Sequence, residues 1–471
     1  MGNERRAWSA TSKRAAVMVE NDYEGTIVRI DINLNYCSYG NLSAKAHLAA
    51  GIIKVALESA MTCWRSVRSR EDKLFWCNYL ADAECQLNDN AVATVLFRIR
   101  PLGNVDDANP SHNVALETSA ARQFVECFFQ SIKQTLADSK DISLVYETLT
   151  DEMSRASQMI EAGEADQVTL ADNLECKLLR IISGTSYGQP TAREIDRLSF
   201  VDWCYYLKQV LVRQNVRLTI YGNQYYGYNR KRIAQVFANL TAILPNGDEY
   251  KARNINWVLT GRAGQYDNEH YQVKPLIEIK EAPRAAVNLI HLRRADYSLK
   301  LQAAATVAQS LLRDVYRLDA RIRYAGGTLW LSLRDVIDDP TMIPARLKEM
   351  QFNMDYICKS EAPMSAHVDK LIDEQYATLS HNNDPLWLLV KTRARSIDAF
   401  SCGFMPMNAE SYLTALANLK PLDVVALLHS FDMQSAEQLG LKATAITGYS
   451  GFKPTASMTG LKRCLRIDAT C

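Results

Sequence analysis

The feature of the sequence that most constrains the fold is a run of alternating side chains at residues 28–36. Its apolar members are Val28, Ile30, Ile32, Leu34 and Tyr36. The residues between them are Arg29, Asp31, Asn33 and Asn35. A period of two is the pattern of a β-strand with one apolar and one solvated face. Such strands are typical of antiparallel sheets, because the strands of a doubly wound parallel sheet are apolar on both faces. The run therefore predicts an antiparallel sheet.

Elsewhere the chain shows both strand and helix patterns. Strands are predicted at 91–100, 216–221, 256–260, 276–280, 286–292 and 328–333, with a hairpin turn at Asn246-Gly247. Helices are predicted at 44–66, 116–137, 145–162, 167–183, 193–213, 297–324, 344–359, 364–379, 408–418 and 421–431. The predicted fold class is α+β, predominantly helical, with antiparallel β-pieces near 28–100 and 216–333.

Composition divides the chain into four consecutive segments. They are an N-terminal arm and α/β segment at 1–115, a helical block at 116–214, a β-rich segment with a long helix at 215–335, and a C-terminal helical segment with a basic tail at 336–471. The arm at 1–22 and the tail at 441–471 bury too little apolar surface to order alone. We expect both to order by lying across a neighbouring subunit.

Charge and cysteine content restrict the partners and the location. Lys+Arg number 54 and Asp+Glu 53, so the whole molecule does not steer toward nucleic acid or a membrane surface. No stretch is apolar for 18 residues, so no membrane partner is expected. The 11 cysteines include no C-x-x-C pair, which is unlike a zinc ribbon or a disulfide framework. We predict reduced thiols and an intracellular location, either cytoplasmic or within a virion.

The catalytic and cofactor motifs have one literal match in the chain. Gly184-Thr185-Ser186-Tyr187-Gly188 fits the G-x-S-x-G pattern, but it follows a helical pattern and precedes Pro190, where a nucleophile elbow would begin its helix. The seven histidines form no H-E-x-x-H, and no phosphate-binding glycine loop is present. No catalytic residue, metal site or cofactor is predicted, and the chain is interpreted as a non-enzyme.

The strongest local signal is the stretch from Trp203 to Gly247. It contains six Lys or Arg, six Tyr and no Asp or Glu. Single-stranded nucleic acid is bound by cations along the phosphates and by aromatic rings that stack on bases. The predicted nucleic-acid-binding residues are Tyr221, Tyr225, Tyr226, Tyr228, Arg230, Lys231 and Arg232. Glycines in the same stretch would let the backbone approach the strand.

An acidic block is the counterpart of this basic stretch. Residues 138–175 carry ten Asp or Glu against Lys140 and Arg155. A block of this kind is typically a solvated face. The alternative is that it meets the basic stretch of an adjacent subunit.

These patterns favour a non-enzymatic, self-assembling structural protein that contacts nucleic acid. The class includes viral nucleoproteins, inner-capsid components and backbone subunits of ribonucleoproteins. Its expected partners are further copies of the chain and single-stranded nucleic acid. Two alternatives remain open: a serine hydrolase using Ser186 with His270 or His291 as base, and an adaptor or shell protein without nucleic-acid contact.

The cysteine pattern generates the first testable prediction. Thiol titration of the denatured, non-reduced protein should count close to eleven, because the cysteines lie in apolar runs without pairing spacing. Three or more disulfides would contradict both the reduced state and the intracellular location.

Overall fold

The computed structural model describes residues 14–447 with interruptions, the longest of which are 176–189, 248–284, 394–408 and 432–440. The chain divides into two compact units, each built from three stretches. The first unit comprises Met1–Met153, Pro190–Ala252 and Asp384–Glu410, and the second comprises Ser154–Gln189, Arg253–Asn383 and Ser411–Cys471. The four consecutive segments proposed from composition are not tested by this division and remain a prediction.

Helices and strands are numbered here in chain order. The strands are β1 (Ala15–Val19), β2 (Thr26–Asn33), β3 (Asn78–Leu87), β4 (Val92–Pro101), β5 (Val216–Gly222), β6 (Ala285–Arg294), β7 (Asp319–Ala325), β8 (Thr328–Ile337) and β9 (Leu441–Thr447). The helices are α1 (Leu42–Arg70), α2 (Pro110–Ala137), α3 (Ser139–Glu161), α4 (Ala192–Asp196), α5 (Phe200–Val210), α6 (Arg230–Leu240), α7 (Leu299–Ser310), α8 (Ile343–Lys359), α9 (Met364–Ser380), α10 (Pro385–Arg393), α11 (Ala409–Ala417) and α12 (Pro421–His429). The α+β prediction is confirmed.

The first unit is organised on a five-stranded sheet in the order β1-β5-β2-β4-β3. All neighbours are antiparallel except β1 and β5, which run parallel. The antiparallel character predicted from the alternation in β2 is therefore confirmed. The predicted N-terminal arm is partly wrong, because residues 15–19 form strand β1 instead of lying loose. The first four side chains of this strand are buried, and that of Val19 is partly buried.

Strand β2 differs from the prediction in having no solvated face. Its polar side chains are as buried as its apolar ones: Arg29 is 2% exposed, Asp31 1% and Asn33 0%. The Arg29 Nε donates to Asp31 Oδ1 over 2.9 Å, and the Thr94 hydroxyl on β4 donates to the same oxygen over 2.7 Å. Buried charges require such partners, and here the partner lies two residues along the same strand.

Helices α1 and α2 pack against each other in the first unit. By length and composition alone, Ala44–Ser66 is the one helical stretch among the described residues that could cross a membrane. A buried core helix meets the same criterion, and the apolar side chains Leu48, Ile52 and Leu57 are buried in the core of this unit. The helix therefore serves as a core element here.

The stretch from Asp384 is held to β4 by a charged side chain. Asp384, 6% exposed, accepts hydrogen bonds from Arg98 and Arg100, both over 2.6 Å. Its other carboxylate oxygen accepts the backbone N–H of Trp387 over 2.8 Å, which places the carboxylate at the start of α10. The guanidinium of Arg98 also lies 5.0 Å from the centre of the Trp387 ring. One carboxylate thus joins a helix start to a strand.

A second carboxylate, that of Glu20, lies at the end of β1. It is 8% exposed and accepts the backbone N–H of Ala409 over 2.8 Å and that of Glu410 over 3.2 Å. Burial raises the pKa of the Glu20 carboxyl to about 7, although the two backbone hydrogen bonds act in the opposite direction. The cost of removing the carboxylate from water thus exceeds the gain from its hydrogen bonds.

The second unit contains a four-stranded antiparallel sheet in the order β7-β8-β6-β9. Two sequence predictions are corrected here. The helix predicted at 297–324 ends at Ser310, continues as one π-helical turn to Val315, and gives way to strand β7. The predicted basic tail contributes β9, which pairs with β6. The helices predicted at 344–359, 364–379, 408–418 and 421–431 are confirmed within a few residues by α8, α9, α11 and α12.

The hairpin predicted at Asn246-Gly247 is not built as expected. Its first arm, 240–244, is the end of α6 followed by a 3-10 turn, because Ile233, Ala234 and Phe237 form a buried helical face leading into it. Its second arm lies outside the described residues, as do the strands predicted at 256–260 and 276–280.

The C-terminal end of the acidic block finds its basic partners in the same chain. Glu175 is fully buried in the second unit and lies within 3.8 Å of Arg321, Arg323 and Arg334. Asp172 pairs with Arg321 over 2.7 Å and also with Arg334. These arginines stand on β7 and β8, so this part of the block covers a sheet face and is not simply solvated.

The position of Glu20 generates the second prediction. Since its pKa is 4.5 as a free carboxyl and about 7 when folded, the folded state binds a proton that the unfolded chain releases between these values. The free energy of unfolding should therefore fall as pH rises from about 4.5 to about 7 and then level off. Glu20→Gln should remove this component, which is on the order of 3 kcal/mol at most.

The measurement is urea unfolding of the wild type and Glu20→Gln at pH 5 and pH 8. The difference in stability between the two proteins should change with pH in the stated direction. Glu58→Gln, at an exposed position of α1, is the matched control and should show no such change. A Glu20→Gln difference that is constant across pH would contradict the assignment.

Candidate functional site

Two tyrosines of the predicted nucleic-acid-binding stretch, Tyr221 and Tyr226, are buried. Tyr221 is 1% exposed on β5, opposite Met18 and Ile27. Tyr226 is 0% exposed, and its hydroxyl is hydrogen-bonded to Thr26 and accepts from Thr118 over 3.1 Å. Burial raises the pKa of the Tyr226 hydroxyl. Neither ring is available to stack on a base.

Gly222 explains how Tyr226 reaches this position. A Cβ at residue 222 would lie 2.4 Å from Cδ2 of the Tyr226 ring. The glycine therefore allows the protein's own tyrosine to lie against the end of β5. The sequence interpretation, in which glycines let a nucleic-acid strand approach, is wrong at this residue.

The basic members of the stretch open helix α6. Lys231 and Arg232 are exposed, Arg230 is partly buried, and the first turn has no acidic residue. Tyr225 and Tyr228 lie outside the described residues. The structure thus brings together only part of the predicted set, and whether its basic side chains contact a partner stays untested.

The residues of the alternative hydrolase are not assembled by the described structure. Ser186 and His270 lie outside the described residues. His291 stands on β6, where the backbone is described but the side chain is not. The G-x-S-x-G interpretation is therefore neither supported nor tested.

Helix α1 contains His47, one of the histidines that the structure describes. Many zinc peptidases hold the metal through two histidines four residues apart on a helix, in H-E-x-x-H or H-x-x-E-H, with the Glu as general base. His47, half-buried on α1, is followed by Leu48, Ala49, Ala50 and Gly51. The helix thus offers one imidazole, with Ala50 and Gly51 where the H-x-x-E-H arrangement needs the general base and the second ligand.

The space beside Gly51 is already filled. A Cβ built at residue 51 would lie 2.2 Å from Cδ1 of Leu149 on α3. Real Cβ atoms do not approach so closely, so any side chain at this position requires Leu149 to move. Among the residues that the structure describes, no group of three His, Cys, Asp or Glu side chains is placed to hold a metal ion. The residues of α1 do not fit a two-histidine zinc site.

Comparisons with known proteins identify solved structures that share this fold. No protein-family model matches the sequence, and no curated protein matches it. Solved structures do match. A peptidase M16 inactive domain from Pseudomonas fluorescens is similar with a TM-score of 0.55 and 13% identity, covering 95% of this chain and 99% of that chain. A protease from Helicobacter pylori is similar with a TM-score of 0.53 and 12% identity, covering 92% and 96%.

A longer protein is also similar. The periplasmic protease PqqL from Escherichia coli matches with a TM-score of 0.52 and 11% identity, over 93% of this chain but only 44% of PqqL. At such low identities the likeness establishes the fold alone. The chain therefore has a fold shared with M16 peptidases.

This finding overturns the functional class predicted from the sequence. The prediction of a viral nucleoprotein, capsid component or RNA-binding backbone subunit is wrong, because the fold neighbours are peptidase-like. The virion location is dropped with it. The nucleic-acid prediction failed because a stretch rich in tyrosine and free of acidic residues can form a buried hydroxyl cluster as well as a surface that stacks on bases.

Sequence reasoning also missed the residues that define α1. The seven histidines include no pair four residues apart. The signal was present as His47 and Gly51, one helical turn apart. The packing of Leu149 against Gly51 had no signal in the sequence, since the two residues are far apart along the chain.

The contact between Gly51 and Leu149 generates the third prediction. Gly51→His should destabilise the protein by about 1–3 kcal/mol, because a new side chain overpacks the junction of α1 and α3. Adding Leu149→Ala should make the double variant more stable than the sum of the single effects by at least ~1 kcal/mol. Urea unfolding of the four proteins gives the coupling.

Val55→His is the matched control. It places the same side chain on the same helix at an exposed position, where substitutions usually change stability by less than about 0.5 kcal/mol. If Gly51→His lowered the free energy of unfolding no more than Val55→His does, or if its effect simply added to that of Leu149→Ala, Leu149 would not restrict the space at residue 51.

Proposed function

We propose that this chain is a non-hydrolytic protein of the M16 peptidase fold that acts by pairing with a second polypeptide of the same fold. The observation that carries the proposal is the condition of α1. His47 has no histidine one turn away, and a side chain at Gly51 would require the end of the Leu149 side chain to move. The similarity to a structure titled as an inactive M16 peptidase domain supports the same conclusion.

The chemistry explains why these two positions matter. A hydrolytic zinc needs at least three protein ligands and an open position for water. It also needs a base that takes the proton of that water as the hydroxide attacks the peptide carbonyl. On α1 the second imidazole is replaced by a hydrogen atom at Gly51 and the carboxylate by a methyl group at Ala50. A single half-buried histidine supplies neither the ligand set nor the base.

The pairing part of the proposal rests on length. The chain spans 44% of PqqL while 93% of the chain itself is matched. A protein of that size has room for a second unit of this length. We propose a second copy of this chain as the partner, in a reducing intracellular compartment consistent with its cysteine pattern.

The hydrolytic test is the fourth prediction. The purified chain, incubated with Zn²⁺ and a quenched-fluorescence library of unstructured peptides, should cleave no faster than buffer. Trypsin is the positive control for the library. Cleavage that copurifies with the chain and is abolished by a chelator would overturn the non-hydrolytic assignment.

Light scattering after size-exclusion chromatography tests the pairing. The expected mass is about twice the 53.0 kDa of one chain. A mass of 53.0 kDa at all concentrations up to the micromolar range would refute pairing with itself and leave the hydrolytic result unaffected.

A further inference from the structure

We propose that Glu20 and the first two residues of α11 form a pH-operated latch in the first unit, which is closed while the Glu20 carboxyl is protonated and opens more often as that carboxyl ionises. Glu20 follows directly on β1, and its side chain accepts the backbone N–H groups of Ala409 and Glu410, with which α11 begins. The contact joins residues that lie 389 and 390 positions apart along the chain.

One half of the latch is fixed to the sheet. The backbone N–H of Glu20 donates to the carbonyl oxygen of Gly222 over 2.9 Å, directly after the pairing of β1 with β5. The backbone of Glu20 is therefore held whatever its side chain does.

The other half is the start of a helix. The first backbone N–H groups of a helix have no partner within the helix, so water can replace the Glu20 oxygens when the contact opens. The division between the two units also falls inside α11, between Glu410 and Ser411. The latch thus lies where the chain passes from one unit to the other.

The surroundings of the Glu20 carboxyl favour its neutral form. The residue is 8% exposed, and no Lys, Arg or His in the described part of the chain forms an ion pair with it. The charged group that acts on it is Glu410, which is also negative. Burial and this like charge raise the pKa of the Glu20 carboxyl to about 7, against the opposite effect of the two backbone hydrogen bonds.

The direction of the pH effect follows from proton binding. When the latch opens, water reaches the carboxyl and its pKa returns toward the ordinary value of 4.5. Between pH 4.5 and about 7 the open state therefore loses a proton that the closed state keeps. The opening equilibrium constant should rise over this range and level off above it, by roughly 70-fold in total between pH 5 and pH 8.

The start of α10 provides an internal comparison. There Asp384 also accepts a backbone N–H at the beginning of a helix, that of Trp387 over 2.8 Å. Unlike Glu20, Asp384 pairs with Arg98 and Arg100, both over 2.6 Å. Arginine stays charged throughout this pH range, so opening of this second contact gains nothing from a rise in pH.

Hydrogen exchange of the purified chain at pH 5, 6, 7 and 8 tests the latch. Mass spectrometry with fragmentation isolates the backbone amides of Ala409 and Glu410, and each rate is divided by the intrinsic rate at that pH. The protection of both amides should fall by roughly 70-fold from pH 5 to pH 8.

Low concentrations of urea separate this local opening from global unfolding. Opening of the latch exposes little surface, so urea should not accelerate exchange at Ala409 and Glu410. The amides in the middle of β2 exchange through global unfolding and should be both slower and accelerated by urea.

Two substitutions and one control identify the titrating group. Glu20→Gln keeps an oxygen that accepts a hydrogen bond but does not ionise, so protection at Ala409 and Glu410 should be constant across pH. Glu410→Gln removes the like charge, so protection should level off at a lower pH than in the wild type. Glu58→Gln, at an exposed position of α1, is the matched control and should behave like the wild type.

Three results would overturn the proposal. They are a wild type whose protection at Ala409 and Glu410 is constant between pH 5 and pH 8, an equal fall in Glu20→Gln, and exchange of these two amides at the rate and urea dependence of β2. The last result would assign the pH effect to global unfolding alone. The first and third need no variant, so they decide the question even if a substitution prevents folding.

Discussion

The first unit depends on the burial of both faces of strand β2. Its apolar face contributes to the main core, and its other face carries Arg29, Asp31 and Asn33 without access to water. An unpartnered charge at that depth would cost several kcal/mol. The ion pair along the strand and the hydroxyl of Thr94 remove that cost, and they tie β2 to β4 by side chains as well as by the backbone ladder.

Close contacts also determine which residues stand where the helices of this unit meet. Where α3 meets α1, the chain has a glycine at residue 51 so that Leu149 can reach the helix backbone. Where α2 meets α1, Trp64 packs edge-on against Phe124. A metal site needs an open cavity with ligands projecting into it. At Gly51 the end of the Leu149 side chain occupies the space that a side chain would need, which is consistent with the proposed absence of hydrolysis in a peptidase-like fold.

Charged residues perform a structural role elsewhere in the molecule as well. Asp384 joins the start of α10 to two arginines of β4, and in the second unit Glu175 is surrounded by three arginines of β7 and β8. Removing the central carboxylate of either cluster would deprive several buried arginines of one ion-pair partner at once. The chain has almost equal numbers of acidic and basic residues, and some of them form ion pairs with each other inside the molecule.

The sequence by itself determined the α+β class, the antiparallel character signalled by residues 28–36, and four helices between 343 and 431, whereas helix α10 was not predicted. Those features follow from local periodicity, which reports the geometry of one element at a time. Tertiary structure alone decided that the polar face of β2 is covered, that Tyr221 and Tyr226 are buried, and that Leu149 closes the space at Gly51. Burial depends on which distant element packs on a given face. A tyrosine beside glycine has the same local pattern whether its ring meets a base or, as with Tyr226, the hydroxyls of Thr26 and Thr118.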